Sequence, residues 1–296
     1  MAITARTESP GAVELEACTE LRNALSVDVE DYFQVSAFAS TIARGSWDEW
    51  PARIERNMDV LLGLFAEHGI RVTFFTLGWI AERYPQLVRR IVAGGHELAS
   101  HGYDHQRVTG LDAESFRQDL ARAKGILEDC GGVRVIGYRA PSFSIDEHTP
   151  WALDCLIETD HRYSSSLYPI AHDHYGSPQA PRWPFQPRPS SEFLELPVAT
   201  LRFVGRNWPV AGGGYFRLFP YGISQWSLRR INRCDRRPFI FYLHPWEIDP
   251  QQPRLPKIGM KTRFRHYLNL HRMQPRLQRL LLDFHWDRID RIFLES

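Results

Sequence analysis

Short apolar or β-branched runs alternate with amphipathic segments along most of this chain. The run at 24–29 (ALSVDV) predicts a short buried strand that closes on Asp28, Glu30 and Asp31. Over 51–67, Ile54, Met58, Leu61, Leu62 and Phe65 recur at spacings of three and four, which predicts an amphipathic helix stopping at Gly69. A β-branched and aromatic strand follows at 71–77, then a helix over 84–93 with Pro85 in its first turn and Gly94-Gly95 at its end. The strand predicted at 97–100 delivers His101. Asp112 caps the next helix, on which Phe116, Leu120, Ala123 and Leu127 share a face, and which runs out before Gly131-Gly132. A strand at 133–138 then sets Arg139 at its end.

Strand and helix alternating in steps of about 30 residues predict a parallel sheet or barrel, an α/β fold in which functional groups gather at the carboxyl ends of the strands. Asp28, His101 and Arg139 all fall there. Further on, a helix near 150–158 and a strand or turn at 163–167 lead into an irregular, proline-rich stretch at 168–214. That stretch holds a candidate strand at 195–199 and the run Gly212-Gly213-Gly214. A buried strand at 238–243 (PFIFYL) delivers His244, and a proline-rich link at 250–256 precedes a helix at about 275–283. The organisation read from this pattern is a disordered or loosely packed extension over 1–22, a barrel over 23–250, and a basic helical segment over 251–296 packed on the barrel.

With 296 residues, 43% of them hydrophobic, the chain can bury a large core, and its formal net charge of +1 gives no global field that would favour nucleic acid or a membrane surface. The Arg- and Lys-rich stretch from Arg254 onward reads as a solvated helical face. Cys18, Cys130, Cys155 and Cys234 form no CxxC pair and no dense framework, so a reduced compartment is expected. Residues 1–22 lack a positive start followed by an apolar core, and the expected location is cytoplasmic.

The densest chemistry lies in His101-Gly102-Tyr103-Asp104-His105. Two imidazoles four residues apart can meet on one side of a tight loop or helical turn, and Gly102 lets the backbone bend between them. That is metal-ligand spacing, although the bare pattern is common among surface histidines. His172 and His174 have similar spacing but read as loop residues without a third partner. Of Trp208, Tyr215, Trp226 and Trp246, only Trp246, beside His244, is a candidate for stacking on a sugar ring.

Taken together, Val27-Asp28-Val29-Glu30-Asp31, His101-Gly102-Tyr103-Asp104-His105, Arg139-Ala140-Pro141 and Leu243-His244-Pro245 resemble, in order and rough spacing, the NodB-type polysaccharide deacetylases of carbohydrate esterase family four, over about 23–249. Asp28 to Phe33 and His244 to Asp249 further resemble a bacterial subgroup tied to exopolysaccharide and exosortase (PEP-CTERM) loci.

The resemblance implies a distorted parallel (β/α) barrel with fewer than eight full strands. It also implies a divalent metal, zinc by default with cobalt or nickel as substitutes, held by His101, His105 and one carboxylate. Asp28 would be the general base, Arg139 would orient it, and His244 would be the acid that protonates the leaving group. A backbone N–H just past Pro141 would help stabilise the oxyanion, and Pro141, Tyr103 and Trp246 would contact substrate. The implied substrate is an acetylated glycan or lipid-linked oligosaccharide carrying an N-acetylhexosamine, with peripheral contact to membrane-bound polysaccharide assembly machinery.

Two departures stand out. The family commonly places two aspartates side by side, base then ligand, whereas here Glu30 shares a strand face with Asp28 and is the preferred third ligand, with Asp31 the rival if the strand turns. Ser164 stands after Tyr163 where relatives often carry an aspartate, which leaves the support of His244 open. A related C–N hydrolase acting on a small amide or cyclic ureide, and a non-catalytic glycan-binding scaffold, are the other readings.

Overall fold

The computed structural model describes residues 21–173 and 175–295; the N-terminal extension read over 1–22 lies, but for its last two residues, outside them, as do Cys18 and His174. A parallel sheet dominates. Its strands are β1 (Arg22–Val29), β2 (Thr73–Thr76), β3 (Glu97–Ser100), β4 (Gly137–Tyr138), β5 (Tyr163–Ser164) and β6 (Leu194–Glu195). A short antiparallel hairpin, β7 (Thr200–Phe203) and β8 (Arg206–Pro209), follows, and β9 (Ile240–Leu243) and β10 (His285–Asp287) return to the main sheet. The helices are α1 (Ile54–Glu67), α2 (Gly78–Arg83), α3 (Pro85–Ala93), α4 (Ala113–Gly131), α5 (Trp151–Glu158), α6 (Gly213–Leu218), α7 (Tyr221–Arg230), α8 (Met260–Tyr267), α9 (Leu270–Asp283) and α10 (Ile289–Phe293).

Strand β1 is the hub. It pairs in parallel with β10 at Arg22–Ala24, with β9 through Ala24–Val27 and with β2 at Ser26–Val29, and the sheet continues from β2 through β3, β4 and β5 to β6. Such a strand is covered on both faces, and Ala24 to Val29 are all buried. Among the described residues β6 and β9 do not pair. Segment 196–199 crosses that gap, with the Val198 N–H donating to Leu167 O at 3.3 Å and the Ala199 N–H to Ile240 O at 3.2 Å. The result is the expected distorted parallel (β/α) barrel, incompletely closed, with β10 adding a strand from the C-terminal segment.

Several elements depart from the sequence reading for local reasons. The strand expected at 133–138 shrinks to two residues because the Val135 N–H is taken by the Glu128 carboxylate at 2.8 Å. Helix α9 begins five residues before the expected start at Pro275 and carries that proline inside it. Asp112 does cap α4, accepting from the Ser115 N–H at 2.8 Å, and Gly132 ends it in the left-handed conformation. No described helix is long and apolar enough to cross a membrane.

Candidate functional site

The carboxyl ends of β1, β3, β4 and β9 open into a cleft of about 990 Å³. Asp28, Glu30, His101, His105 and His244 line it, together with Ser36, Ser142, Arg217 and Lys261. The side chains at its floor are buried: Asp28, Glu30, His101 and His105 each expose only a few per cent of their surface.

Glu30, His101 and His105 bring one donor atom each to within 4.8 Å of the others. Their surroundings fix which atoms face inward. The His101 Nδ1 lies 2.7 Å from Arg139 O. A carbonyl only accepts, so Nδ1 carries the proton and Nε2 keeps its lone pair for a ligand role. Nδ1 of His105 lies 3.4 Å from Ser36 Oγ, and Nε2 of the same ring lies 2.7 Å from Glu30 Oε2. Yet Glu30 Oε2, fully buried, makes no hydrogen bond among the described residues. A carboxylate oxygen and an imidazole nitrogen that approach closely without hydrogen-bond geometry suit two ligands aimed at a common point. Two imidazoles and one carboxylate are a donor set for a borderline divalent cation with a coordination position left open.

The loop that presents the two histidines depends on Gly102, at φ +75°. A Cβ there would sit 2.9 Å from Asp119 Oδ2, the carboxylate whose oxygens also accept the Tyr103 N–H at 3.2 and 3.3 Å. Trp246 orients Glu30 by donating Nε1–H to Oε1 at 3.2 Å. Burial alone would raise the Glu30 carboxyl, but His105 foremost, with His244 and His101, outweighs it and holds it down at about 2.

Asp31 does not join the cluster. Its Oδ1 accepts from the Tyr32 N–H at 2.8 Å and its Oδ2 from the Arg53 and Ile54 N–H groups at 2.6 and 2.9 Å, so both oxygens are taken by backbone amides, Oδ2 by those at the start of α1. Burial pushes this carboxyl up to about 6.

Asp28 faces the cleft from the end of β1. Arg139, fully buried at the end of β4, donates Nη1–H to Asp28 Oδ1 at 2.7 Å and to Ser26 Oγ at 2.8 Å. The remaining guanidinium donors go to Ser165: Nε–H to its carbonyl at 3.0 Å and Nη2–H to its hydroxyl at 2.9 Å. Four directed bonds leave this arginine one orientation.

His244 approaches from β9, with Nε2 3.8 Å from Asp28 Oδ2 and 3.5 Å from Glu30 Oε1. Its Nδ1 lies 3.3 Å from Glu247 Oε2, and Glu247 Oε1 in turn accepts from Arg217 Nε at 3.0 Å. Burial would lower the imidazole, but Glu30, Glu247 and Asp28 outweigh it and push it up to about 9. Glu247 therefore occupies the role that Ser164 leaves vacant in sequence. The glycine run is built around it, because a Cβ on Gly213 would overlap the Glu247 carboxylate.

Of the expected substrate contacts Pro141, Tyr103 and Trp246, only Trp246 lines the cleft. Tyr103 is outside the cleft wall, its hydroxyl donating to Glu82 at 2.7 Å and its ring under Arg122. Pro141 is buried behind the wall, but Ser142 and Phe143 after it, both left-handed at φ +54° and +49°, line the cleft. Trp246 stacks on His244 and on His266, at ring distances of 5.2 and 4.2 Å, and so braces the site instead of offering a free face. His172 lines the cleft, stacked on Tyr175 at 4.0 Å. Glu247, Arg217, Ser36 and the α8 residues Lys261 and Arg265 are cleft residues that sequence reasoning did not single out. Only Glu247 carried a sequence signal: an acid three residues after His244 has capping-box spacing, and that box is formed.

Residues 44–156 match the family description "Polysaccharide deacetylase", and residues 165–294 match a domain of unknown function (DUF3473). The chain is 32% identical over 83 residues to a peptidoglycan-N-acetylglucosamine deacetylase of Bacillus cereus, covering 28% of each protein. It is 36% identical over 76 residues to a chitooligosaccharide deacetylase of Rhizobium leguminosarum bv. trifolii, covering 25% of this chain and 35% of that one. These matches thus span about a third or less of the relatives' lengths. A crystal structure of a candidate polysaccharide deacetylase from Mycobacterium smegmatis superposes with a TM-score of 0.58 at 19% identity, covering 96% of this chain and 93% of the other. That likeness is one of fold.

Proposed function

This chain belongs, through residues 44–156, to the NodB-type polysaccharide deacetylases, and from that premise we propose that it is a metal-dependent hydrolase releasing acetate from an N-acetylated hexosamine in a glycan. The observation that carries the reading is the convergence of Glu30, His101 and His105 beside Asp28 and His244 in one cleft. A divalent cation held by those three donors supplies Lewis-acid polarisation of an acyl carbonyl and acidifies water.

The chain's own residues divide the proton work. Asp28, aimed by Arg139, takes the proton of the attacking water. His244, across the cleft and held by Glu247, gives a proton to the departing amine as the C–N bond breaks. The Ser142 backbone N–H, just past Pro141, would serve the developing oxyanion, the Phe143 N–H being given to Ala140 O at 3.0 Å. The exopolysaccharide subgroup resemblance makes an exopolysaccharide, or its lipid-linked precursor, the favoured acceptor of this chemistry, in the cytoplasm or at its membrane face. Zinc is the cation best matched to the donor set.

The test is acetate release from N-acetylglucosamine oligomers by protein purified without chelator, before and after chelation and zinc or cobalt add-back. Activity that chelation removes and metal restores supports the reading. Metal-free turnover of small amides with no acetate release would replace it with the related C–N hydrolase.

A further inference from the structure

Away from the cleft, β7, β8 and α7 pack together and form a face that the catalytic reading does not use. Phe203 (50% exposed), Val204 (82%) and Trp208 (51%) project from the hairpin, and Ile223 (49%) and Trp226 (51%) from α7. Large aromatic and aliphatic side chains at this exposure, gathered on two adjoining elements, mark an interaction surface.

The hairpin tip is built at a conformational cost. Val204 and Gly205 form its two-residue turn with φ of +49° and +72°. Asparagine or glycine suits such positions, whereas a β-branched residue there is strained. Val204 gains no burial in return, so its methyls are held out into solvent by a strained turn. The hairpin is also stiffened: Trp208 Nε1–H donates to Phe203 O at 3.2 Å. Strain kept where the folded chain gains nothing from it points to a contact outside the chain.

Charge identifies the partner. Segments 202–208 and 222–237 contain Arg202, Arg206, Arg230, Arg233, Arg236 and Arg237, besides Arg229, which pairs with Asp283 at 3.1 Å, against the single carboxylate Asp235, which Arg182 pairs at 3.2 Å. Ile223, Trp226, Arg230 and Arg233 recur at helical spacing on the exposed side, and the Arg230 guanidinium lies over the Trp226 ring. Tryptophan, phenylalanine and valine set among arginines, with almost no acidic residue, match an anionic bilayer surface: apolar tips enter the headgroup boundary while guanidinium groups meet lipid phosphates.

We propose that this hairpin–helix face docks the protein on anionic lipid membranes. The probe is co-sedimentation of the full chain with vesicles of phosphatidylglycerol and phosphatidylcholine in equal parts, and with phosphatidylcholine alone. Wild type should bind the anionic vesicles, bind the neutral ones far less, and release with added salt. Phe203→Ser/Val204→Ser/Trp226→Ser, and separately the all-surface pair Arg230→Glu/Arg233→Glu, should each weaken binding at least about tenfold with unchanged melting temperature. Absence of binding by wild type, or wild-type affinity in both variants, overturns the proposal. So does a wild-type dimer in light scattering that the serine variant turns into a monomer without any lipid binding, which would make the face a contact between copies of this chain.

Discussion

Glu247 grips His244 at two points: its Oε2 accepts the His244 backbone N–H at 2.9 Å and lies 3.3 Å from the Nδ1 of the same residue. The imidazole is thereby held with Nε2 toward Asp28 and the cleft. Glu247→Gln should lower kcat by roughly tenfold to a hundredfold with little change in KM, the size expected when a group that orients a reacting side chain is removed. Steady-state acetate release measures it. An unchanged kcat would remove Glu247 from the proton pathway.

Asp28→Asn keeps the shape of the side chain and its contact with Arg139 but cannot take a proton. Turnover should fall by about a hundredfold to ten-thousandfold while metal content stays at the wild-type level. Activity and elemental analysis on the same preparation decide this, and retained turnover would assign the base elsewhere.

Glu30→Gln and Asp31→Asn, one residue apart, should separate cleanly. The first removes a donor of the Glu30, His101, His105 cluster and should strip bound metal on dialysis. The second weakens a cap that serves the Arg53 and Ile54 amides, so it should keep metal and lose about 1 kcal/mol of stability. Metal analysis with a urea melt distinguishes them; loss of metal in the Asp31 variant alone would exchange their roles.

Lowering the pH below 7 should charge two buried histidines at the expense of the fold. Burial lowers His96 to about 4 and His161 to about 3, each below the ordinary value of 6.5. For a group whose folded pKa is depressed, stability is fully present above 6.5 and is lost as pH falls toward the folded value. Each histidine then contributes a slope of up to about 1.4 kcal/mol per pH unit. Urea melts at pH 7 and pH 5 should show the loss, and His161→Phe should make the drop smaller by one such contribution. The same pH dependence in wild type and His161→Phe would contradict the neutral, buried state of that ring.

Much of the barrel could be read from the chain because its buried strands are nearly continuous apolar runs and its helices α1, α3 and α4 are plainly amphipathic. The same holds for Asp28, His101, Arg139 and His244, each of which sits at a strand end. What stayed hidden depends on contacts between distant segments. Helix α7 buries Ser224 and Ser227 beside Tyr221 and Leu228, so its inner face does not look apolar in sequence. Arg217 finds Glu247 and the carbonyls of α8 only after the chain has folded back, and nothing near it in sequence announces a buried arginine. Trp246 looked like a sugar platform because its neighbours His244 and Pro245 mark the site; its stacking on His266, from the C-terminal segment, has no local trace.

The pairing of β1 with both β9 and β10 has a consequence for synthesis of the chain. Of the described strands, β1 comes first in the chain and has two of its three neighbours, β9 and β10, more than 200 residues further on, so Asp28 and Glu30 cannot be locked in place until those strands have been made. Contacts this far apart in sequence make for slow assembly, and they leave an apolar first strand half-paired in the meantime. Cutting the gene to the stretch that matches the deacetylase family, 44–156, would therefore remove both the central strand and its late partners. Neither the N-terminal nor the C-terminal half is expected to fold when expressed without the other, because β1 pairs with β9 and β10.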